Sequence, residues 1–408
     1  MAGGGERRGN AVVGLVRDAL ASRGARRSRL ERAASIADLR TRAQRRLPAA
    51  VFDYLEGAAE DEVTARANKA AFGEITLVPR VLRDASKVDL ATTITGIPVD
   101  TPILCAPTGF TRLFHPAGEN AVAAAAARAG SIYTLSTMAT RSIEDVAAVA
   151  PEAPKWFQLY VWRDERLVDA LIERAKAAGY RALCLTVDTA VLGRRERDHR
   201  SGLTIPPRAS LRTVIDGARR PAWWWGFLRS DELLLANVAS HAPKGTGRTG
   251  LAELTNKQFD PAVTWEAAAR IARRWDGTFI VKGIQCAEDA QLAVDLGAHA
   301  VIVSNHGGRQ LDHAPATVRV LPEVVAAVGE RIEVLIDGGV RRGTDVIKAL
   351  ALGASGVMIG RAYLYGLAAA GEAGVDRVFA MLHAELRNAM ALLGTPTIAD
   401  IGPSTIRL

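Results

Sequence analysis

The chain alternates between short apolar runs and longer segments of helical periodicity. Eight runs are continuously apolar, which is typical of strands that are covered on both faces. They occupy residues 103–109, 131–136, 155–161, 182–188, 279–284, 300–305, 333–339 and 356–361. Helical segments separate most of them, at 118–130, 144–150, 164–179, 287–297 and 343–353. Eight strand–helix units predict an α/β fold, the closed (β/α)8 TIM barrel.

An open doubly wound sheet is the alternative to the barrel, but no G-x-G-x-x-G turn supports it. An N-terminal helical extension precedes the first barrel strand, and a long insertion at residues 190–275 follows the fourth. We therefore divide the chain into a basic arm, 1–35, and a barrel unit, 36–408.

The insertion contains the sequence RRPAWWWGFLRSDELLLANV at residues 219–238. Trp223, Trp224 and Trp225 stand between arginines, which favours an aromatic anchor at a membrane surface. The other interpretation is a lid packed on the barrel mouth, or a contact between subunits. A loop of this length is usually functional or mobile.

Composition and charge limit the classes of protein. Hydrophobic residues make up 49% of the 408 positions, which is ample for a core. No apolar stretch reaches the ~18 residues of a membrane-spanning helix, and the N-terminus lacks the order of a secretory signal. The three cysteines lie in or just after apolar runs and favour a reducing cytosol. We expect a cytoplasmic protein, with peripheral contact at the inner face of the cell membrane if the tryptophans form an anchor.

The positive charge is concentrated at the N-terminus. Residues 1–48 hold twelve arginines and four acidic residues, a balance of +8. The remainder holds 52 − 12 = 40 basic and 44 − 4 = 40 acidic residues, so it is neutral. The arm is suited to nucleic acid or anionic lipid, or it is a solvated helical extension. A transit peptide is a weaker interpretation because acidic residues interrupt the segment.

Polar residues stand at the ends of the predicted strands, where barrel enzymes carry their active sites. They are Pro107, Thr108, Gly109, Ser136, Gln158, Tyr160, Thr186, Asp188, Arg195, Lys282, Ser304, Asn305, His306, Asp337, Gly338, Gly339, Arg341, Gly360 and Arg361. Such a set is hard to explain as core, because buried polar groups without partners are costly. We expect these residues to converge on one site.

The last two strands are followed by glycine–arginine turns, IDGGVRRG and MIGR. Barrel enzymes frequently hold a phosphate at this place, on glycine amides and the start of a helix. Gly343 begins such a helix. The sequence therefore predicts a phosphate site that serves a substrate or a cofactor.

Lys282 helps to choose between a substrate and a cofactor. A lysine at a strand end forms a Schiff base, acts as a base, or compensates a developing anion. Near a flavin, such a cation stabilises the reduced ring. Gln158, Thr186 and Ser136 would then bond the ring, whereas a Schiff base would leave them without a task.

The stretch VIVSNHGGRQLD, residues 301–312, places a histidine and an arginine after the sixth strand. Arg309 and Arg195 come from different strand ends and suit a substrate carboxylate. His306 is placed to take a proton, and Asp188 would accept the other imidazole N–H. No zinc-like ligand spacing is present, so no metal is predicted.

These residues match a known family. The chain resembles the FMN-dependent L-2-hydroxy acid oxidases and dehydrogenases over residues 36–408, and most closely the bacterial L-lactate dehydrogenases. The matching blocks are FDYLEGAAEDEVTARANKAAF (52–72), APTGFTRLFHPAGE (106–119), WFQLYVW (156–162), LTVDTAVLGRRERD (185–198), VKGI (281–284), VSNHGGRQLD (303–312), DGGVRRGTDV (337–346) and IGRAYLYGLA (359–368).

The resemblance implies a role for each matching residue. His306 is the expected base with Asp188 as its partner, and Tyr160 bonds the substrate hydroxyl. Tyr54, Arg195 and Arg309 bind the carboxylate. The expected FMN contacts are Pro107, Thr108, Gly109, Ser136, Gln158, Thr186, Lys282, Ser304, Asp337, Gly338, Gly339, Val340, Arg341, Gly360 and Arg361.

The implied reaction oxidises an L-2-hydroxy acid, with L-lactate to pyruvate favoured, by proton removal and hydride transfer to the flavin. Gly109 favours a quinone or another acceptor over oxygen, since many oxidases of the family carry alanine there. The resemblance also implies a homotetramer. The alternatives are a 2-hydroxy acid oxidase or mandelate-type dehydrogenase, then a phosphate-binding barrel isomerase, and lastly a non-enzymatic nucleic-acid binder.

Overall fold

A closed barrel of eight parallel strands forms the centre of the protein. The computed structural model describes residues 30–202, 216–239 and 259–408. The strands in chain order are β1 (Thr76–Leu77), β2 (Thr92–Ile94), β3 (Ile97–Val99), β4 (Ile103–Cys105), β5 (Tyr133–Ser136), β6 (Lys155–Tyr160), β7 (Ala182–Thr186), β8 (Thr278–Ile284), β9 (Ala300–Val303), β10 (Glu333–Asp337), β11 (Gly356–Ile359) and β12 (Ile406–Arg407). Strands β4 to β11 follow one another around the barrel, and β11 pairs with β4 to close it. The predicted TIM barrel is confirmed.

Most barrel strands end a few residues earlier than the apolar runs that predicted them. The run 300–305 contributes only Ala300–Val303 to β9, and the run 333–339 contributes only Glu333–Asp337 to β10. The residues that follow turn sharply, and Gly338 has a φ of 95°. The polar ends of the runs therefore lie in the loops at the carboxyl ends of the strands.

The barrel interior is filled by side chains from alternate strand positions. Leu104, Trp156, Cys184, Ile280, Ile302, Leu335 and Met358 are buried together there. Strands β2 and β3 form an antiparallel hairpin that contributes Ile94 and Val99 to the same cluster. The hairpin thus closes the amino end of the barrel with apolar side chains and leaves the carboxyl end for a site.

Helices cover the outside of the barrel. In chain order they are α1 (Ile36–Arg46), α2 (Ala49–Glu56), α3 (Val63–Glu74), α4 (Gly118–Arg128), α5 (Ile143–Val149), α6 (Glu165–Ala177), α7 (Glu196–Ser201), α8 (Pro221–Arg229), α9 (Ala236–Ala239), α10 (Trp265–Trp275), α11 (Ala287–Asp295), α12 (Thr317–Val328), α13 (Gly343–Ala351), α14 (Arg361–Ala370) and α15 (Glu372–Leu393). Local sequence explains their starts: the side chain of Ser142 caps α5, and that of Asp164 accepts from the first-turn amides of α6.

The N-terminal helices α1 to α3 form the predicted helical extension, and α3 packs on the loop that follows β9. The carboxylate of Asp312 accepts hydrogen bonds from Val63 N at 3.2 Å and Thr64 N at 2.8 Å, at the start of α3. Backbone donors at a helix start need such an acceptor. The boundary of the basic arm at residue 35 stays a prediction, because residues 1–29 lie outside the described residues.

The described part of the insertion is docked on the barrel. Trp223 is 9% exposed and donates its indole N–H to Leu113 O at 3.0 Å. Trp225 is 59% exposed and lies under the guanidinium of Arg229 at 4.1 Å. The end of the predicted range 190–275 is α10, which packs on β8 and α6. No helix among the described residues is long and apolar enough to cross a membrane.

Candidate active site

A cavity of about 380 Å³ opens at the carboxyl ends of the barrel strands. Its wall includes, from the predicted set, Tyr54, Pro107, Thr108, Gly109, Gln158, Tyr160, Thr186, Arg195, Lys282, His306, Arg309, Asp337, Gly338, Gly339, Val340, Arg341, Gly360 and Arg361. Tyr54 lies on α2, and the other residues belong to the ends of seven of the eight barrel strands, all but β5, or to the loops that follow them. The convergence expected at the strand ends is therefore present.

His306 and Asp188 form a direct pair. His306 Nδ1 lies 3.0 Å from Asp188 Oδ1 and 3.3 Å from Oδ2. Burial alone would raise the pKa of Asp188. The positive charge that His306 carries when it is protonated, its hydrogen bond and the charge of Lys282 outweigh burial and lower that pKa. Asp188 is thus an anion that holds a proton on Nδ1, which leaves Nε2 as the proton-accepting atom of the ring.

Two arginines flank the ring of Tyr54. The guanidinium of Arg195 lies 5.5 Å from the ring centroid, and that of Arg309 lies 5.1 Å from it. Arg309 Nη1 donates to Tyr54 O at 2.9 Å and to Gly57 O at 2.6 Å, at the carboxyl end of α2. These bonds orient Arg309, and two cations with a phenol between them suit one carboxylate.

Burial and the neighbouring Arg195 lower the pKa of Arg309 to about 9. Arg309 therefore stays charged at neutral pH. Asp198 also lines the cavity, and its carboxylate lies 3.3 Å from Arg195 Nε. Burial raises the pKa of Asp198, although Arg195 and Arg309 oppose that rise. Asp198 was not among the predicted site residues, although its i,i+3 spacing from Arg195 in RRERD was a usable signal.

Tyr160 ends β6 and faces the same cavity. Its ring meets Phe259 edge-on at 5.3 Å. Burial, with a smaller contribution from Asp188, raises the pKa of Tyr160. The phenol therefore stays protonated and is available to donate a hydrogen bond.

Lys282 is a buried cation. Its Nζ lies 2.9 Å from Asp337 Oδ2 and donates to Ser304 Oγ at 2.7 Å. Burial alone would lower the pKa of Lys282, but Asp337 and Asp188 outweigh burial and raise that pKa. A protonated amine is not a nucleophile, so the Schiff-base alternative loses its support.

Four polar atoms at the cavity wall are buried without a hydrogen-bond partner among the described residues. One is Asp198 Oδ1, on the side of the arginines, and the other three are Gln158 Nε2, Thr186 Oγ1 and Asp337 Oδ1, at the strand ends. Such atoms are rare because each costs free energy, and they indicate a missing partner. The donors and acceptors fit a polar heterocycle and a hydroxylated chain, so this wall fits FMN.

The neighbouring part of the cavity wall, after Asp337, carries the glycine–arginine turns. Gly338 and Gly339 have φ values of 95° and 91°. Arg341 and Arg361 line the cavity beside the starts of α13 and α14. Glycine backbone, helix N-termini and guanidinium groups together fit a phosphate.

Some predicted residues lie behind the cavity wall. Ser136 donates to Gln158 Oε1 at 3.1 Å, and Ser304 accepts from Lys282 and, at 3.1 Å, from His306 N. Asp188 lies behind His306. The direct flavin contacts that the resemblance implies for Ser136 and Ser304 stay predictions.

Other cavity residues had no signal at a strand end. Leu192 and Leu235 belong to the loop and the insertion after β7, and Phe114 follows a turn after β4. Arg361 donates to Leu55 O, Gly57 O and Gly307 O at 3.2, 2.7 and 2.8 Å. Backbone acceptors carry no sequence signature, so these contacts were not predictable.

Residues 43–408 match the model of the FMN-dependent dehydrogenase family. The chain is 43% identical over 373 residues to the L-lactate dehydrogenase of Caulobacter vibrioides, covering 91% of this chain and 97% of the relative. It is 46% identical over 362 residues to the L-lactate oxidase of a Nostoc species, covering 88% and 93%.

Among solved structures, the chain is similar to the monotopic membrane protein (S)-mandelate dehydrogenase. The TM-score is 0.88 at 40% identity, covering 92% of this chain and 99% of that chain. The chain belongs to the FMN-dependent dehydrogenase family. This confirms the predicted family, the FMN cofactor and FMN-dependent oxidation of an L-2-hydroxy acid as the reaction. The barrel isomerase and the nucleic-acid binder are thereby set aside.

Proposed function

We propose that this enzyme oxidises L-lactate to pyruvate, with His306 as the base and Arg195 and Arg309 as the carboxylate grip. The observation that carries the proposal is the His306–Asp188 pair, 3.0 Å apart, in one cavity with two arginines around Tyr54. A proton acceptor beside a carboxylate site matches a substrate whose hydroxyl and carboxylate sit on one carbon.

The substrate carboxylate binds between Arg195 and Arg309, and the Tyr54 phenol donates a hydrogen bond to it. Tyr160 donates to the hydroxyl oxygen. This arrangement fixes the substrate at three points, so that the hydroxyl proton faces His306 Nε2. Asp198 partly neutralises the arginines while the site is without substrate.

His306 Nε2 accepts the hydroxyl proton as the substrate is oxidised. Asp188 stabilises the imidazolium that results, because it is already an anion bonded to Nδ1. When bound, FMN supplies the acceptor for the electron pair that leaves the substrate carbon. Burial of the cavity floor keeps bulk water from competing for the same hydrogen bonds.

FMN would be held by the strand-end residues together with the glycine–arginine turns. Gln158 and Thr186 would bond the ring, and Lys282 would compensate negative charge on it. Asp337 Oδ1 would accept from hydroxyls of the ribityl chain. Arg341 and Arg361, with the backbone of residues 338–340, would bind the phosphate. Ser136 and Ser304 support this set by holding Gln158 and Lys282.

We infer that electrons pass to a quinone or another acceptor rather than to oxygen. Gly109 lies at the cavity wall, and a Cβ at this position would come 2.9 Å from Met138 Cβ. That spacing supports a glycine here. Comparing reoxidation of the reduced enzyme by air and by a soluble quinone analogue tests the choice, and faster reoxidation by air would contradict it.

We also propose a cytoplasmic location with peripheral membrane contact, and a homo-oligomer. The contact surface consists of Trp225 and Leu228 on α8, which are 59% and 67% exposed. The membrane protein among the similar structures supports this proposal. Trp223 is excluded from that surface by its burial, which corrects the three-tryptophan anchor expected from the sequence.

An aromatic substrate is the second candidate. The cavity has apolar residues, Phe110, Met138 and Phe259, along its wall, and the structural similarity to (S)-mandelate dehydrogenase favours it. A mandelate-type dehydrogenase would use the same His306 and arginines. The two candidates would differ only in which substituent on the hydroxy-bearing carbon of the substrate the cavity prefers.

The decisive experiment adds substrates to the purified yellow holoenzyme without oxygen. L-Lactate should bleach the visible flavin absorption, and D-lactate should leave it unchanged. Rate constants for L-lactate, glycolate and (S)-mandelate then rank the substrates. Bleaching by (S)-mandelate alone would favour the second candidate, and bleaching by none of them would overturn the proposal.

A further inference from the structure

A closed ring of polar contacts surrounds the ends of β8, β9 and β10. Its members are Asn68, Asn305, Ser304, Lys282, Asp337 and Thr317. Lys282 bonds both Ser304 and Asp337, and Thr317 Oγ1 donates to Asp337 O at 2.6 Å. Ser304 precedes Asn305 in the chain. Asn68 on α3 closes the ring from outside the barrel.

Asn68 and Asn305 form a reciprocal amide pair. Asn68 Nδ2 donates to Asn305 Oδ1 at 2.8 Å, and Asn305 Nδ2 donates to Asn68 Oδ1 at 2.9 Å. Both side chains are buried, with 2% exposure each. Asn68 Oδ1 also accepts from Thr317 N at 3.2 Å. Every polar atom of the pair thus has a partner, which a buried amide requires.

Asn305 passes this constraint to the loop that carries His306. Its Oδ1 accepts from Gly308 N at 3.1 Å, and its Nδ2 donates to Pro315 O at 3.0 Å. His306 itself has a φ of 56°, in the left-handed region that a non-glycine residue seldom adopts. Such a conformation persists only where the surroundings over-determine it. The amide pair is one of the contacts that do so.

Asn68 also touches the turn predicted to bind the phosphate. A Cβ at Gly338 would lie 3.2 Å from Asn68 Nδ2, and a Cβ at Gly339 would lie 2.0 Å from Asn68 O. The glycine turn therefore packs directly against this residue. One asparagine contacts both the His306 loop and the glycine turn, although it does not line the cavity.

We propose that Asn68 is a positioning residue that holds the His306 loop and the phosphate-side glycine turn in a fixed relation. The inference rests on the proposed roles of His306 and of the turn at Gly338. Asn68 acts through Asn305 and Thr317 and contacts no reacting atom. Replacing Asn68 should increase the mobility of both loops. Replacing a residue with a purely structural role should lower only the stability of the fold.

The test uses the holoenzyme with Asn68→Ala. This change removes one of the two partners of each amide atom of Asn305, and it removes the acceptor of Thr317 N. We therefore expect kcat for L-lactate to fall about tenfold to a hundredfold. KM should change much less, because Arg309 is held by Tyr54 O and Gly57 O. Peptides spanning 304–317 and 337–341 should exchange their amide hydrogens faster, and FMN should dissociate faster on dilution.

Two further variants keep the test sharp. Asn68→Asp retains acceptors for Thr317 N and for Asn305 Nδ2 but loses the donor to Asn305 Oδ1. It should also speed loop exchange and FMN release, and it serves if the alanine variant fails to fold. Ser131→Ala removes a buried hydrogen bond to Ile103 O at the amino end of the barrel. This control should lower the melting temperature without changing kcat, loop exchange or FMN release.

The proposal is overturned if Asn68→Ala and Ser131→Ala lower the melting temperature alike and neither changes loop exchange or FMN release. Asn305→Ala should make a later Asn68→Ala change less costly, because coupled residues are not additive. If the effects of the Asn68 and Asn305 substitutions on kcat are fully additive, the proposal is also contradicted. If none of the hydroxy acids reduces the flavin of the wild type, the proposed function fails. Hydrogen exchange and FMN release still decide the role of Asn68 in that case.

Discussion

The barrel mouth and the insertion differ in how neighbours in the sequence lie in space. At the mouth, Asp188 and His306 are 118 residues apart in the chain and 3.0 Å apart in the structure. In the insertion, three consecutive tryptophans have three environments. Trp223 is buried, Trp224 is half-buried and Trp225 is exposed. Separation along the sequence therefore does not give the distance between two residues in space, which depends on the fold around them.

The difference follows from the two kinds of secondary structure. Parallel strands in a closed barrel bring their carboxyl ends to one edge, so strand-end residues meet whatever their separation. Successive residues of a helix point about 100° apart, so the tryptophans of α8 cannot share one face. Consecutive residues of one type in a helix therefore do not form one surface.

The largest expected effect comes from His306→Gln. The variant should keep FMN, since most expected flavin contacts lie on other strands, but flavin reduction by L-lactate should slow by about 10²–10⁴-fold. Anaerobic stopped-flow absorption measures this rate. The matched control is His199→Gln, on the exposed surface of α7, which should match the wild type. Near wild-type reduction by the His306 variant would place the base elsewhere.

The second effect concerns Arg309→Lys, which keeps the charge. Lysine cannot reproduce a two-pronged grip, and it loses the bonds from Nη1 to Tyr54 O and Gly57 O. We expect kcat/KM for L-lactate to fall about tenfold to a hundredfold. Arg319→Lys, in a surface pair with Glu74, is the control. An unchanged kcat/KM in the Arg309 variant would argue against a bidentate contact.

Much of the mouth could be predicted because strand ends have a sequence signature. The continuous apolar runs located the barrel strands, and the polar residues after them located His306, Arg309 and Lys282. Contacts made by main-chain atoms have no such signature. The carbonyl oxygens of Tyr54 and Gly57 accept from Arg309, yet any residue type offers a carbonyl there.

A side-chain contact of the N-terminal helices was also not predictable from the sequence. Asn68 pairs with Asn305 across 237 positions, and only the packing of α3 on the β9 loop brings them together. In the insertion, the helical period of residues 221–229 was available, but it does not tell which face meets the barrel. The hydrogen bond from the Trp223 indole to Leu113 O decides that.

A third prediction separates the two faces of α8. Trp223 stacks on Phe227 at 5.1 Å and is anchored to Leu113, so Trp223→Ser should destabilise the docked insertion by about 3 kcal/mol. Hydrogen exchange of residues 216–239 measures this local stability. Because Leu235 lines the cavity, KM for L-lactate should rise as well. Unchanged exchange would mean that other contacts hold the insertion, such as the hydrogen bonds that Arg112 donates to Asp231 O and Glu232 O.

The smallest effect on the fold is expected at the other face, in the double variant Trp225→Ser with Leu228→Ser. Both side chains are exposed, so the free energy of unfolding should change by only about 0.5 kcal/mol per residue, and L-lactate oxidation with a soluble dye should persist. Co-sedimentation with anionic vesicles should weaken about tenfold or more, since the apolar surface is lost.

Salt should weaken wild-type binding too, because Arg229 next to Trp225 attracts anionic headgroups through a charge that ~0.1 M salt screens beyond about 10 Å. The buried Trp223 provides the contrast within the same helix: its replacement should alter exchange at 216–239, whereas replacement of Trp225 and Leu228 should alter vesicle binding. If the wild type does not sediment with vesicles at all, the exposed face of α8 is better explained as a contact between subunits. Sedimentation velocity of the double variant would then show a smaller oligomer than the wild type.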